Sequence, residues 1–285
     1  MTLLASVFLT LFGLAFGSFL NVCISRLPQH QSVVTPRSHC PRCGAFIPAS
    51  DNIPLLSWIL LRGRCRTCSA KISLRYPLVE AALPALWIAC YFTFGWTLSF
   101  AGAAVFCFLL LGLAVMDAET MRLPDAFTLP GIVLGIAFAF AESGSALIGR
   151  ALVAPQAGSL ASSPASPWSA MGASAASAVL AAACIVFIRM LYRWIRGQEG
   201  MGLGDAKLLA MIAAWLRVER TILVFFVAVV AAALVGIAGR LLQPSQQSKE
   251  GWLEERLPFG TFLACAAIYA LFLGWRTIHW YMGFF

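Results

Sequence analysis

Two aspartates, Asp117 and Asp205, stand at boundaries between apolar and polar sequence. Asp117 directly follows an apolar stretch, and Asp205 follows the glycine-rich run Gly200-Met-Gly-Leu-Gly204 and begins another apolar stretch. Two neighbouring carboxyl groups do not readily ionise together, so one keeps a proton. The ionised group can then take a proton from water while the protonated one polarises a peptide carbonyl. The pair predicts peptide hydrolysis that needs neither a metal nor a nucleophilic side chain.

A simpler interpretation of both aspartates is structural. Aspartate is a favoured helix N-cap, and Asp205 begins a helical pattern. A carboxylate at membrane depth is, however, a candidate functional residue because it is costly to bury there. Gly202 and Gly204 would let the backbone bend beside Asp205 and let another chain approach it closely. From the residues alone, both interpretations remain open.

Four cysteines form a second constellation, Cys40-Pro-Arg-Cys43 and Cys65-Arg-Thr-Cys68. Each CxxC turn can direct two thiolates at one ion, and two such turns complete a tetrahedral shell. All four ligand positions are cysteines, which leaves none open for water, so the pattern predicts structural zinc. A redox dithiol pair or two disulfides are the alternatives, and a cytoplasmic loop disfavours stable disulfides.

The elements that carry these residues are membrane helices. The chain has 285 residues, of which 60% are hydrophobic and 11% charged. A soluble domain is about half apolar and about a quarter charged, so this composition predicts an all-α polytopic membrane protein. The net charge of +8 does not indicate nucleic-acid binding, because the basic residues flank apolar spans.

The sequence predicts about eight transmembrane helices and a cytoplasmic zinc-binding loop. The predicted spans are Leu3–Ile24, Tyr76–Phe94, Trp96–Met116, Ala126–Ala141, Trp168–Leu191, Ala206–Leu216, Thr221–Leu242 and Phe259–Ile278. Glu142–Pro167, rich in Ala, Ser, Gly and Pro, is predicted to be a flexible outside loop. Gln243–Leu257 is predicted to be a polar cytoplasmic loop.

The distribution of Lys and Arg sets the orientation. Residues 26–75 are strongly basic, and loops of this kind stay in the cytoplasm. Both termini are then predicted to be periplasmic, and both aspartates lie at cytoplasmic ends of spans. Sixteen of the twenty Lys and Arg residues fall in the segments predicted to be cytoplasmic. Three regions result: residues 1–25 as the first helix, 26–75 as the cysteine loop, and 76–285 as the aspartate-bearing membrane region.

Several ordered motifs resemble one known family, the bacterial type IV prepilin leader peptidases that also N-methylate their product. They are Gly17-Ser-Phe-Leu-Asn-Val22 with Arg26-Leu-Pro28, the paired CxxC loop, Arg75-Tyr-Pro-Leu-Val-Glu80, Asp117 through Leu123-Pro-Asp125 to Leu129-Pro130, and Glu199-Gly-Met-Gly-Leu-Gly-Asp-Ala-Lys-Leu-Leu209. The Asp205 segment looks like the GxGD signature of intramembrane aspartic proteases.

The resemblance implies that Asp117 and Asp205 are catalytic and that Cys40, Cys43, Cys65 and Cys68 hold zinc. It implies prepilins and secretion-system pseudopilins as substrates, cut on the cytoplasmic face of the bacterial inner membrane. The new N-terminus would be methylated from S-adenosylmethionine. No feature of the sequence identifies the methyl-donor pocket. Glu80 is a candidate for part of it, and an acid at the start of a helix is the alternative.

The implied substrate leader is basic, so the positive net charge of the chain cannot attract it. Three acids near the aspartate pair in sequence, Glu119, Asp125 and Glu199, are predicted to contact the leader's Lys and Arg side chains. The alternative is that these three acids only lie at the membrane–water interface and do not contact a substrate.

Two other functions remain compatible with parts of the pattern. A transporter with a proton-relay aspartate pair fits the intramembrane acids but not the cysteine loop or the glycine turn. A zinc-stabilised assembly protein without catalysis fits the cysteine loop and treats the aspartates as helix caps.

Overall fold

The computed structural model describes residues 2–152, 166–197, 202–242 and 257–284. Helices dominate this part of the chain, and its only β pairings are two isolated bridges in the cysteine loop. The helices are α1 (Thr2–Arg26), α2 (Leu56–Leu60), α3 (Arg75–Phe94), α4 (Leu98–Thr120), α5 (Asp125–Leu152), α6 (Pro167–Arg196), α7 (Leu203–Leu242) and α8 (Phe259–Met282), with short 3₁₀ helices at Leu27–Gln29 and Ala49–Asn52.

Seven helices among the described residues are long and apolar enough to cross a membrane, which confirms the prediction of an all-α polytopic membrane protein. The difference from the predicted eight lies in α7. Its 40 residues would extend about 60 Å, roughly twice the hydrocarbon thickness. Arg217 interrupts α7 with φ 66° and ψ 170°, so the element consists of two helical segments, as the sequence predicted.

The prediction of a loop from Glu142 onward is wrong for its first part. Helix α5 continues to Leu152 because Ala146-Leu-Ile-Gly-Arg-Ala-Leu152 contains mostly good helix formers. Residues 153–165 of that predicted loop, and residues 243–256 of the predicted cytoplasmic loop, lie outside the described residues.

The described chain divides into two compact units, one up to Met116 and one from Asp117 onward. In the first unit, α1 packs on α3. The buried side of α1 contains Ala5, Leu9, Gly13, Gly17, Leu20, Asn21 and Ile24, which is one stripe of the helix. A Cβ atom added to Gly13 would lie 2.7 Å from the Cα of Pro84, and one added to Gly17 would lie 2.8 Å from the Cα of Glu80. The GxxxG spacing in α1 therefore permits backbone contact.

The second unit packs α5, α6, α7 and α8 together. Small side chains form part of its interior, where Ala178, Ala210 and Ala214 are buried. Polar side chains also join its helices: the Ser174 hydroxyl donates to the Ala214 carbonyl at 2.7 Å, and the Trp215 ring N–H donates to the Gly131 carbonyl at 2.9 Å. Such bonds satisfy polar groups that meet no water within a membrane.

The contact between α1 and α3 predicts a specific sensitivity at Gly13. Gly13→Ala should lower the free energy of unfolding by about 1–3 kcal/mol, because the added methyl group overlaps the backbone at Pro84. Thermal unfolding in detergent, followed by tryptophan fluorescence, measures this. Gly172→Ala is the matched control, since a Cβ at Gly172 meets nothing within 4 Å. Equal unfolding midpoints for the two variants would contradict the proposed packing role.

Candidate active site and metal centre

The cysteine loop consists of two turns with the same hydrogen bonds. In the first, the Cys40 N–H donates to the carbonyl five residues later at 2.9 Å, and the Gly44 N–H donates back to the Cys40 carbonyl at 2.9 Å. In the second, the Cys65 N–H and the Ser69 N–H make the equivalent bonds at 2.8 and 2.9 Å. Each turn is closed by one isolated antiparallel bridge. The two CxxC segments therefore form a structural repeat.

The four thiols converge. The sulfur atoms of Cys40, Cys43, Cys65 and Cys68 all lie within 4.8 Å of one another, and those of Cys40 and Cys68 are 3.8 Å apart. A tetrahedral site with Zn–S bonds of about 2.3 Å has sulfur–sulfur edges of about 3.8 Å. The donor set and its spacing therefore fit a closed zinc site.

Electrostatics at this cluster also favour a bound cation. Backbone N–H groups of Cys43 and Arg42 lower the pKa of the Cys40 thiol to about 6. At Cys68 the Ala70 N–H lowers the pKa, but burial and the three neighbouring thiols outweigh it and raise the pKa to about 11. Four thiolates this close repel one another, and a divalent cation removes that penalty.

Two contacts brace the loop. The Arg66 guanidinium donates to both carboxylate oxygens of Asp51, at 2.7 and 2.6 Å. The Leu55 N–H donates to Glu80 Oε2 at 2.8 Å. Leu55 has φ 60° and ψ −50°, and the N–H after it bonds to the carbonyl before it at 2.6 Å, which is a strained γ-turn. Glu80, which is 8% exposed, thus holds a strained turn of the loop against α3.

The aspartate pair lies in the second unit. Asp117 sits in the last turn of α4 and is 5% exposed. Asp205 sits in the first turn of α7 and is partly buried. Gly260 borders the Asp117 carboxyl group, Gly204 precedes Asp205, and both glycines lie against the Leu123 side chain, so the two carboxyl groups lie in one neighbourhood. The structure therefore brings together the two aspartates that the sequence singled out.

The start of α8 completes the surroundings of Asp117, and sequence reasoning missed it. The Thr261 N–H donates to Asp117 Oδ2 at 2.8 Å, and the Thr261 hydroxyl lies 3.3 Å from the same oxygen. A Cβ at Gly260 would lie 3.0 Å from the Asp117 carboxyl carbon and 3.1 Å from Leu123. The available signal was Pro258-Phe-Gly-Thr261 at the start of a span that begins on the same side as both aspartates.

Both predicted glycines lie beside Asp205. A Cβ at Gly204 would lie 3.2 Å from the Leu123 side chain, and one at Gly202 would lie 3.5 Å from Asp205 Oδ2. The Gly202 backbone N–H also hydrogen-bonds the Asp205 carboxyl group. Leu123 thus contacts the glycine next to Asp205 and the glycine that covers Asp117.

The three predicted leader contacts have different surroundings. Glu119 is exposed. Asp125 Oδ1 accepts a hydrogen bond from Lys207 Nζ at 2.6 Å, in an ion pair whose side chains are 56% and 39% exposed. Glu199 lies outside the described residues.

The fold and the two sites define a class of protein: a polytopic helical membrane protein with a pair of carboxyl groups and a four-cysteine centre. A model of the type IV leader peptidase family matches residues 103–237, and a model of the bacterial peptidase A24 N-terminal domain matches residues 11–94. The chain belongs to the type IV leader peptidase family.

Relatives that share one name are similar to this chain over most of its length. A protein of Aeromonas salmonicida (strain A449) is 36% identical over 301 residues, covering 96% of this chain and 92% of its own length. One of Burkholderia pseudomallei (strain K96243) is 34% identical, covering 94% and 85%. One of Myxococcus xanthus (strain DK1622) is 39% identical over 239 residues, covering 82% of this chain but 63% of its own length. Each is named a prepilin leader peptidase/N-methyltransferase. No solved structure matches the chain significantly.

Because the two cysteine turns are equivalent, substitutions at their matching positions, Gly44 and Ser69, should change the stability of the loop in opposite directions. Ser69 has φ 56° and Gly44 has φ 71° at the equivalent position, and only glycine adopts this conformation without a Cβ penalty. Ser69→Gly should stabilise the loop by about 0.5–1 kcal/mol, and Gly44→Ser should destabilise it by a similar amount. The rate at which a chelator removes zinc measures both. Faster loss from Ser69→Gly than from Gly44→Ser would contradict the repeat.

Proposed function

We propose that this chain cleaves the short basic leader of type IV prepilins and pseudopilins and N-methylates the new N-terminus with S-adenosylmethionine. The observation that carries the peptidase is the placement of the Asp117 and Asp205 carboxyl groups at neighbouring helix ends, around the shared Leu123 side chain, within the compact unit that begins at Asp117. The names of the relatives support both activities. They give no support to a transporter or to a non-catalytic assembly protein.

Hydrolysis follows from two carboxyl groups in different protonation states. The ionised one takes a proton from water as the water oxygen bonds to the peptide carbonyl carbon, and the protonated one gives its proton to the carbonyl oxygen. When the C–N bond breaks, the first carboxyl returns its proton to the leaving amine, and the second regains its proton from the tetrahedral intermediate. Gly202 and Gly204 form the backbone turn that places Asp205 for this reaction.

We assign the second reaction to the cysteine loop, residues 26–75, and the peptidase to the membrane region, residues 76–285. Structural zinc held by Cys40, Cys43, Cys65 and Cys68 would keep the loop folded. The methyl group would pass from the sulfonium of the donor to the free amine of the cleaved product, which then loses a proton. The close thiol spacing supports the zinc assignment.

We further propose the bacterial inner membrane as the location, with the active site facing the cytoplasm and both termini in the periplasm. The bias of Lys and Arg towards the predicted cytoplasmic segments supports this orientation. The substrate supports it as well, because the leader of a prepilin precedes its membrane helix and would reach the site from the cytoplasm.

The assignment of the two activities is tested with the purified full chain, a purified prepilin and the methyl donor. Asp117→Asn and Asp205→Asn should lower cleavage by at least about a thousandfold, because one member of the acid–base pair is lost. Gel mobility measures cleavage, and mass spectrometry measures methylation. Cleavage at the wild-type rate by either variant would exclude the paired-aspartate mechanism.

In the same assay, the variant Cys40→Ser distinguishes the methylation activity from the cleavage activity. It removes one thiolate of the metal centre, so zinc content and methylation should fall while cleavage persists. A variant that keeps its zinc after replacement of all four cysteines would contradict the metal assignment.

We also propose that Glu119, Asp125 and Glu199 contact the basic leader. The exposure of Glu119 and the partly exposed ion pair of Asp125 with Lys207 support access from outside the helices. The triple replacement by Gln, Asn and Gln should raise KM several-fold for a basic leader but not for a leader whose Lys and Arg are replaced. Glu142→Gln, predicted to lie on the opposite membrane side, is the control. An unchanged KM for both leaders would refute the contact.

A further inference from the structure

The N-terminal turn of α8 lies against the carboxyl group of Asp117. Its residues are far from Asp117 in the chain, since Thr261 and Asp117 are 144 positions apart. The N-cap position, Pro258, offers no side-chain cap to the helix. The Asp117 carboxylate accepts from the first turn in its place.

Three contacts converge on this carboxyl group. The Thr261 N–H donates to Oδ2 at 2.8 Å, and the Thr261 hydroxyl lies 3.3 Å from the same atom. The Gly260 N–H contacts the carboxyl group as well. Backbone N–H groups can only donate, so they select a group that accepts. The first turn of a helix also carries partial positive charge, which favours a negative group there.

The side-chain space around Asp117 is equally restrictive. Any residue larger than glycine at position 260 would place its Cβ 3.0 Å from both the carboxyl carbon and Oδ2 of Asp117, and 3.1 Å from Leu123. Contacts this short require the carboxyl group or Leu123 to move. Gly260 therefore fixes where the carboxylate sits as well as how it is bonded.

Asp205 has a different set of contacts. It lies in the first turn of α7, and its Oδ2 atom faces Gly202, where an added Cβ would lie 3.5 Å away. An ionised neighbour disfavours a second ionised carboxyl group. The donors gathered on Asp117 favour its ionised form, which leaves Asp205 as the group that keeps the proton in the inference below.

We propose that the first turn of α8 holds Asp117 as the ionised base of the pair, with Gly260 and Thr261 as positioning residues, and that Asp205 is the proton-donating acid. This inference rests on the proposed peptidase function. In the reaction, Asp117 accepts the proton of the attacking water and Asp205 protonates the peptide carbonyl oxygen. Both are restored when the amine leaves, as described above.

A glycine pair on the same helix tests the positioning role. Gly260→Ala should lower kcat for prepilin cleavage by about 10–100-fold with little change in KM, because the catalytic group moves while the substrate still binds. Gly274→Ala is the matched control: it lies on α8, and its Cβ would make only ordinary contacts at 3.4 Å. Equal effects of the two changes, or wild-type kcat for Gly260→Ala, would overturn the inference.

The pH profile tests which aspartate is the base, and it does not depend on whether Gly260→Ala folds. Thr261→Val removes the hydroxyl donor and keeps the side-chain shape, whereas Thr261→Ser keeps the hydroxyl. If Asp117 is the base, the acidic limb of the kcat profile moves to higher pH by roughly 0.5–1 unit in Thr261→Val, and Thr261→Ser matches wild type. A shift of the basic limb instead would make Asp117 the acid and overturn the assignment.

Failure of this inference is distinguishable from failure of the peptidase proposal. If Asp117→Asn and Asp205→Asn cleave normally, the paired-aspartate mechanism is wrong. If both are inactive while Thr261→Val and Gly260→Ala keep wild-type kcat and pH profiles, the mechanism stands and only the role of the α8 turn is refuted.

Discussion

A carboxyl group that is largely buried among membrane helices needs hydrogen-bond donors from the protein, and the first turn of a helix has N–H groups without partners in that helix. In this protein the buried carboxyl group and the unpaired N–H groups of a helix start satisfy one another. The Asp117 carboxylate, at the end of α4, accepts the Thr261 N–H at the start of α8. Because α8 packs on α7, the helix that holds Asp117 in place also contacts the helix that carries Asp205. This one bond therefore ties the position of Asp117 to the helix pair that carries Asp205.

Close packing of backbone is the second constraint on the site. Leu123 lies against both Gly204 and Gly260, so one side chain sits between the first turn of α7 and the first turn of α8. Membrane helices gain little from hydrophobic burial against each other, since lipid is as apolar as their side chains. Their association relies on close contact and on interhelical hydrogen bonds, and both occur where the carboxyl groups meet.

The cysteine centre follows a different principle. Each CxxC turn is closed by hydrogen bonds within six consecutive residues, Cys40–Ala45 and Cys65–Ala70, so its shape is set locally. Only the approach of the two turns to one another requires the rest of the loop. The long-range hydrogen bond from the Leu55 N–H to the Glu80 carboxylate then attaches the loop to α3. Glu80, which the sequence offered as a candidate for the methyl-donor site, therefore has a positional role in the structure.

The sequence by itself determined the class of fold, the start of α8 at Phe259, the four clustered cysteines and the two aspartates that come together. The fold class, the start of α8 and the cysteine cluster depend on composition, on local periodicity or on spacing within a short segment, which a single chain displays directly. The pairing of the two aspartates came from the resemblance of several ordered motifs to one family. It did not reveal Gly260 and Thr261 as neighbours of Asp117, the ion pair of Asp125 with Lys207, or the continuation of α5 to Leu152. Only the tertiary structure decided the contacts of Asp117 and of Asp125. Thr261 lies 144 positions from Asp117, and Lys207 lies 82 positions from Asp125. Such contacts arise from helix packing, because no local sequence pattern records which helix ends meet.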